Sequence, residues 1–424
     1  MVINNIRYRW NIYLVLLLYK ITLDIIYIVL IAPKYAYVGY QLHFSILKYL
    51  ISLAIVAILI QPIAGLLTNI STSSLIILIL NLAYFIPGCT TYALSGLSNS
   101  YFCFFALYWS LLMFFHYYFR RFLIIPPPKK ITPFIFYSIV ALISFFALLI
   151  SGLYNGFRFH FNLMDVYSLR DFQSSLHLPA IVRYLHPLAS VLIPITVVYF
   201  LLKKDILVAV LLSVVQLLLF AFGGHKTTLF ALFAAIFIAL FYQDKRKLWI
   251  LYILLTLNII VFIEMLTFHG NSFVSSFIQF RTFFIPNMIS YQFYEYFSSH
   301  EFVYLRDSIL RWVGFVNPYG MPIPILISGA YTGNYSVWAN NGLCGDAFYQ
   351  FGWFGVVLYP ILITTAIRFF EACTKNLDIR IVFTSCIIFS QAFINSPFFI
   401  VMLTNGFIFT CLFLYLMPRE SSQF

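Results

Sequence analysis

Apolar residues run in long stretches along this chain, with short polar segments between them. A helix that crosses a bilayer needs about 20 predominantly apolar residues. Stretches near that length lie at 12–32, 44–62, 71–87, 100–119, 131–152, 184–202, 206–222, 227–242, 248–266, 352–371, 380–397 and 398–417. This pattern predicts an all-α polytopic membrane protein with about 12 transmembrane helices. The first stretch is too long for the apolar part of a signal peptide and lacks a small-residue cleavage site, so we interpret it as a span.

The composition agrees with a chain that lies mostly in the membrane. Hydrophobic residues make up 62% of it and charged residues only 9%, against about 25% charged residues in soluble domains. Little sequence remains for a separate aqueous domain, so we predict one membrane domain over residues 1–424. The six cysteines have neither CxxC nor Cys/His spacing, so neither a zinc site nor a disulfide framework is indicated.

The basic residues between the spans fall on one side of the membrane if the helices alternate. They are Arg7, Arg9, Arg120, Arg121, Lys129, Lys130, Lys203, Lys204, Lys245, Arg246, Lys247, Arg368, Lys375, Arg380 and Arg419. Cytoplasmic loops carry an excess of lysine and arginine, so both termini are predicted to be cytoplasmic. This bias also explains the net charge of +12 without a nucleic-acid partner.

Two long segments remain on the outer face, at residues 151–183 and 267–351. Both are rich in aromatic residues, which predicts short helices that lie at the membrane surface. Against the charge bias they keep Arg158, Arg170, Arg183, Arg281, Arg306 and Arg311. Any one of these can simply pair with a nearby acid, which would be Asp165, Asp171, Glu301 or Asp307, or bind lipid headgroups. Six together indicate an anionic ligand.

The candidate chemistry of the outer face follows from these residue types. The chain has no DxD, HExxH or GxSxG motif, and "GGHKTT" at 223–228 lacks the spacing of a phosphate loop, so no metal, nucleotide or other cofactor is expected. Guanidinium groups match phosphate oxygens bidentately, which favours a lipid pyrophosphate as ligand, with Lys226 facing the same side. Sugars are expected on aromatic and amide side chains, namely Tyr291, Trp338 and Asn341.

The chain resembles the O-antigen polymerases in its architecture and in three local stretches. These stretches are "GLYNGFRFHFNLMDVYSLR", "GGHKTTLFALFAAIF" and "GLCGDAFYQFGWFG", the last being similar to a Gly–Asp–Ala/aromatic–Gly signature of that family. The resemblance implies a membrane glycosyltransferase of the bacterial inner membrane. It would join oligosaccharide repeat units on undecaprenyl pyrophosphate at the periplasmic face, with membrane lipids, a chain-length regulator and a flippase as partners.

The resemblance also implies roles for the candidate residues. The outer arginines and Lys226 would neutralise charge on the departing pyrophosphate, and a general base would accept the proton of the acceptor hydroxyl. The candidate bases are Asp346, then Glu295, then His269. Asp346 has a second interpretation, as the N-cap of a helix that begins near Ala347.

Other classes of membrane protein remain open at this stage. A polysaccharide flippase also has about twelve spans, but it should show two comparable halves and charges within its spans. A ligase for lipid-linked sugars would share this type of site and differ in its acceptor, and a non-enzymatic export subunit would not need outward arginines.

One pair of charges lies inside the first predicted span. Lys20 and Asp24 are four residues apart, which places them one above the other on a helix and predicts an intrahelical ion pair. Charged residues within a membrane span are rare, so the pair also raises a functional question.

Overall fold

A computed structural model describes residues 2–68, 71–119, 131–159, 180–242, 249–268 and 273–419. Over these ranges the chain is helical and contains no β-strand, which confirms the predicted all-α class. The α-helices are α1 (Val2–Ile26), α2 (Ala32–Tyr35), α3 (Ile46–Thr68), α4 (Thr72–Leu80), α5 (Ile86–Ser95), α6 (Asn99–Tyr118), α7 (Pro133–Tyr154), α8 (Ala180–Leu202), α9 (Ile206–Gly223), α10 (Lys226–Phe241), α11 (Trp249–Phe268), α12 (Ile285–Phe297), α13 (Ile323–Thr332), α14 (Leu343–Phe351), α15 (Gly355–Cys373), α16 (Ile379–Asn395), α17 (Phe398–Met402) and α18 (Phe407–Leu416).

Ten helical segments of the described chain are long and apolar enough to cross a membrane. They are Trp10–Val38, Ile46–Thr68, Thr72–Ser95, Asn99–Tyr118, Pro133–Tyr154, Tyr184–Leu202, Ile206–Gly223, Trp249–Thr267, Leu343–Cys373 and Phe398–Leu416. The predicted spans at 227–242 and 380–397 correspond to α10 and α16, which are helical but shorter than 18 residues. The count of twelve therefore stays a prediction.

The span predicted at 352–371 begins earlier than its hydrophobicity suggested. The apolar helical segment starts at Leu343, and it is broken between α14 and α15 at Gly352, where the backbone has φ 55°. Because L-residues with a side chain rarely adopt positive φ, glycine allows the chain to turn here. The break separates the short helix that carries Asp346 from the longer helix that follows.

Contacts divide the chain into two compact units. The first comprises Met1–Phe122, Lys245–Ile367 and Phe393–Phe398, and the second comprises Leu123–Asp244, Arg368–Ala392 and Phe399–Phe424. In the first unit α1 packs against α11, α3 against α5, and α12 against α14. In the second unit α8 packs against α7, α9 and α10.

The predicted pair in the first span is present and is embedded in further polar contacts. Lys20 Nζ lies 2.5 Å from Asp24 Oδ1, and the two side chains are buried, at 0% and 4% exposure. The Thr90 hydroxyl donates to Asp24 Oδ1 over 2.7 Å, and the Tyr49 hydroxyl donates to Oδ2 over 3.1 Å. The Asp24 carboxylate thus joins α1 to α3 and α5.

The Glu264 carboxylate fixes the start of the helical segment that follows α11. Glu264, near the end of α11, accepts the backbone N–H groups of Val274 and Ser275 over 3.0 and 2.9 Å. These residues open a π-helix over Val274–Phe284. The first N–H groups of a helix have no partner within it and carry partial positive charge, so an acidic side chain there is stabilising.

In the second unit the Arg419 guanidinium closes two helix ends. It donates to the carbonyl oxygens of Cys373, Lys375, Leu414, Tyr415 and Met417, at 2.8 to 3.0 Å. These carbonyls follow or end α15 and α18, where the last turn of a helix leaves its acceptors unsatisfied. Arg419, which was listed above among the basic residues of the predicted cytoplasmic side, therefore also has a structural role.

We expect Arg419→Ala to lower the free energy of unfolding by about 1–2 kcal/mol, since charge-assisted bonds to these carbonyls are lost but water can partly replace them. Arg419→Lys should recover only part of the loss, because an ammonium has three donors instead of five. Thermal unfolding of the purified protein in detergent measures both variants. An alanine variant as stable as wild type would contradict this role.

Candidate active site

The segment at residues 267–351, which was predicted to lie on the outer face, belongs to the first unit. It carries most of the described candidate residues. After the π-helix Val274–Phe284 it contains α12, a 3₁₀ turn at Leu310–Val313, α13 and α14. These elements lie between the spans Trp249–Thr267 and Leu343–Cys373, except α14, which opens the second of them. The chain therefore has helices in this predicted loop.

The buried residues of α12 and its exposed Glu295 lie on different faces of the helix. Phe293 and Tyr294 are buried and contact α14, with ring centroids 5.3 Å from Tyr349 and 4.3 Å from Phe348. Glu295 is exposed. The 3.6-residue period of a helix places neighbours in sequence on different faces, so the packing of Phe293 and Tyr294 leaves Glu295 free to face outward.

The Glu295 carboxylate is held between two tyrosine hydroxyls. Tyr291, one turn earlier on α12, donates to Oε1 over 2.8 Å, and Tyr331 of α13 donates to Oε2 over 2.8 Å. Burial and the adjacent carboxylate raise the pKa of Tyr291 above its ordinary value, so its phenol remains a donor at neutral pH. The arrangement fixes an exposed carboxylate in one orientation, and this carboxylate forms no ion pair with the described residues.

Further exposed aromatic side chains occur along the same segment as this carboxylate. Tyr331 is 37% exposed, Tyr335 58% and Trp338 54%. The Tyr335 ring lies directly on Gly329 of α13, where any side chain would overlap it. Aromatic faces pack against the C–H faces of sugar rings, and a carboxylate accepts sugar hydroxyl hydrogens. The predicted sugar-binding residues Tyr291 and Trp338 thus lie in a region of suitable chemistry.

Asn341, the third predicted sugar-binding residue, does not lie at the surface. Its side chain is 2% exposed, and neither atom of its amide makes a hydrogen bond within the described part of the chain. Gly345 of α14 packs against this amide so closely that a side chain at 345 would overlap it. A sugar would reach Asn341 only if this turn moved.

Asp346 does not cap the helix in which it lies, so its interpretation as an N-cap is wrong. The helix begins at Leu343 with Gly342 as its N-cap, and no side chain caps it. Asp346 lies in the first turn and is 1% exposed. Its Oδ2 accepts the backbone N–H of Phe398 over 2.6 Å, 52 residues further along the chain.

The two described arginines of this segment that were predicted to bind pyrophosphate differ in their contacts. Arg306 is used locally: it pairs with Glu301 over 2.6 Å and donates to the carbonyls of Val303 and Phe302 over 2.9 and 2.8 Å. The neighbour pairing considered in the sequence analysis is therefore present for Arg306. Arg281 is exposed, with its guanidinium 5.6 Å from the centroid of the Phe277 ring.

The other cationic candidates belong to the second unit or lie outside the described residues. Arg158 is exposed after the end of α7. Lys226 is the first residue of α10, after the N-cap His225. Arg170 and His269 lie outside the described residues, as does the side chain of Arg183.

A second acidic side chain near Asp346 was missed as a candidate. Asp307 is partly buried and accepts from the Tyr349 hydroxyl over 3.0 Å and from Gln350 Nε2 over 2.9 Å. Burial raises the pKa of Asp307, and these hydrogen bonds oppose the rise. From its sequence position, Asp307 was predicted only as a partner for arginine. An acid beside an arginine in a loop gives no sequence signal that its side chain turns inward.

The fold and these residues define a multi-pass membrane protein in which a segment between two spans carries an exposed carboxylate and exposed aromatic side chains. The chain matches no protein-family model, no curated protein and no solved structure. Over the described ranges, no group of three or more His, Cys, Asp and Glu side chains is arranged to hold a metal ion.

Proposed function

We propose that this protein is an O-antigen polymerase, a membrane glycosyltransferase that joins oligosaccharide repeat units linked to undecaprenyl pyrophosphate. The observation that carries the proposal is the Glu295 carboxylate, exposed between the hydroxyls of Tyr291 and Tyr331. It lies outside the long spans, on a segment that also carries the exposed aromatic residues Tyr335 and Trp338. A carboxylate in this setting suits both tasks of such a site, which are sugar binding and acceptance of a proton.

Glu295 is our choice for the general base among the predicted candidates. A base must reach the acceptor hydroxyl within hydrogen-bond distance, and Glu295 is exposed whereas Asp346 is buried and binds a backbone N–H. In the reaction Glu295 accepts the hydroxyl proton as the oxygen attacks the anomeric carbon. The bond from that carbon to the pyrophosphate then breaks, and the lipid pyrophosphate leaves with the electron pair.

The leaving pyrophosphate needs cations more than it needs an acid. One guanidinium group binds two phosphate oxygens at once and stays charged at any relevant pH. In the first unit, which carries Glu295, exposed Arg281 is the described residue to which we assign this role. Arg306 is less suited, since its guanidinium already binds Glu301 and two backbone carbonyls.

The remaining features of the proposal follow from the resemblance. The protein would lie in the bacterial inner membrane with both termini in the cytoplasm and its outer segments in the periplasm. It would work with a flippase that delivers the lipid-linked units and with a chain-length regulator. Charge bias in the loops supports this orientation.

Replacing Glu295 tests the proposal. We expect Glu295→Gln to slow glycan elongation by about 10²–10⁴-fold, the usual contribution of a general base, because the amide keeps the shape but cannot accept the proton. The measurement is the ladder of glycan lengths formed from a lipid-linked repeat unit by purified protein in liposomes.

The matched control is Glu301→Gln, a change at an exposed glutamate of the same outer segment that pairs with Arg306. Exposed ion pairs contribute about 0–1 kcal/mol, so this variant should elongate normally. Wild-type elongation in Glu295→Gln would contradict the role of Glu295. Movement of the lipid-linked unit across the bilayer without any ladder would identify a flippase, and a single transfer to another acceptor would identify a ligase.

A further inference from the structure

One tyrosine hydroxyl of α14 lies between two carboxyl groups. Tyr349 and Asp346 are three residues apart on this helix, so their side chains lie on the same side of it. The Tyr349 hydroxyl donates to Asp307 Oδ2 over 3.0 Å and also lies beside the Asp346 carboxyl group. All three groups belong to the first unit.

The Asp346 carboxyl group accepts one backbone hydrogen bond and lies near buried phenols. Its Oδ2 accepts the N–H of Phe398, while its Oδ1 is buried without a hydrogen-bond partner in the described part of the chain. The Tyr359 hydroxyl neighbours this carboxyl group, is equally buried, and has no hydrogen-bond partner within the described residues. Tyr108 is a further buried phenol within electrostatic range.

Within the described part of the chain, neither acid has a cation that compensates its charge. Among the described residues the charged or titratable groups that act on Asp346 are Asp307, Tyr349, Tyr359 and Tyr108. Arg306 precedes Asp307 in the sequence, but its guanidinium points to Glu301. Neither acid takes part in an ion pair within the described chain.

Two nearby carboxylates in an apolar environment cannot both carry charge without a large cost. A tyrosine hydroxyl has one proton, so Tyr349 can donate to one carboxylate at a time. A proton bound by the acid pair removes one of the two buried charges. Pairs of this kind titrate as a unit.

We propose that Asp307 and Asp346 together bind one proton, which moves between them through Tyr349. When the proton leaves Asp346 it is taken up by the Tyr349 oxygen, while the original Tyr349 hydroxyl proton passes to Asp307 Oδ2. One proton is transferred in total and no electrons are exchanged. Partly exposed Asp307 exchanges this proton with water, and Asp346 holds it in the interior. This site is separate from Glu295 and does not rest on the proposed glycosyl transfer.

Infrared spectroscopy of the purified protein in lipid tests the proposal directly. A protonated carboxyl group has a C=O stretch that is distinct from the bands of a carboxylate. We expect wild-type protein at neutral pH to show this band, and Asp346→Asn and Asp307→Asn each to weaken or abolish it. Tyr349→Phe should shift the band and slow its change after transfer to heavy water, because the connecting hydroxyl is gone.

Glu295→Gln is the matched control and should leave the band unchanged, since it removes a carboxyl group outside the pair. Absence of the band in wild-type protein would overturn the proposal, as would a band that persists unchanged in both asparagine variants. Asp346→Asn keeps an oxygen acceptor for the Phe398 N–H. If that variant nevertheless fails to fold, Asp307→Asn and Tyr349→Phe decide the question alone.

Discussion

Removal of either charge from the pair in the first span is expected to produce the largest loss of stability in this protein. Lys20→Met or Asp24→Asn should lower the free energy of unfolding by about 3–5 kcal/mol, because each leaves the opposite charge buried without compensation. Lys20 is 0% exposed and Asp24 4% exposed. Water therefore cannot replace the missing partner.

The double variant Lys20→Met/Asp24→Leu should recover much of this loss. A buried ion pair gains little over well-packed apolar residues once the cost of removing both charges from water is included. Thermal or denaturant unfolding in detergent micelles measures all three variants. The exposed pair of Arg380 and Asp378, 2.8 Å apart, provides the control, and Asp378→Asn there should cost at most about 1 kcal/mol.

Two outcomes would contradict this account of the pair. One is that both single variants have free energies of unfolding within about 1 kcal/mol of wild type, which is the change expected for an exposed ion pair. The other is a double variant no more stable than the worse single variant. The second outcome would mean that the charges have a role in the fold that apolar packing cannot supply.

Gly342→Ala is expected to have the second largest effect, because there is no space for a side chain at this position. A Cβ at 342 would overlap the backbone carbonyl oxygen of Phe393 and lie 2.5 Å from that of Ser396. Backbone atoms cannot rotate away as a side chain can, so we expect a loss of about 3 kcal/mol, the upper end of the usual cost of overpacking. The start of α14 would shift and the bond from Phe398 to Asp346 would weaken.

Gly345→Ala is the control for this substitution. A Cβ at 345 would overlap only the side-chain amide of Asn341, which makes no hydrogen bond within the described residues and can turn aside. The loss should therefore be clearly smaller than for Gly342→Ala when both are measured by thermal unfolding. Equal losses would indicate that α14 tolerates no added volume at either glycine, whatever the neighbouring atoms.

The sequence was informative wherever the deciding contacts are local. Apolar stretches predicted the helices, and the four-residue spacing of Lys20 and Asp24 predicted their pairing. The proximity of Glu301 and Arg306 allowed the ion pair that forms between them. Tyr291 and Glu295, both named as site residues, are also four apart and share a hydrogen bond.

The sequence was uninformative where the partners are distant along the chain. The local sequence of Asp346 suggested a helix cap, but its carboxyl group binds Phe398, 52 residues away. Asp307 receives the Tyr349 hydroxyl 42 residues away, and Tyr331 completes the Glu295 site across 36 residues. The residues next to each acid in the sequence do not indicate these partners.

By itself, then, the sequence determined that this chain is a multi-pass helical membrane protein, because hydrophobicity over about 20 residues is a property of neighbours in sequence. It also determined which residue types are available for chemistry on the outer segments. Only the tertiary structure decided that Glu295 is exposed between two phenols while Asp346 is buried beside a second acid. Burial and hydrogen bonding depend on which helices pack together, and that packing joins residues that lie dozens of positions apart.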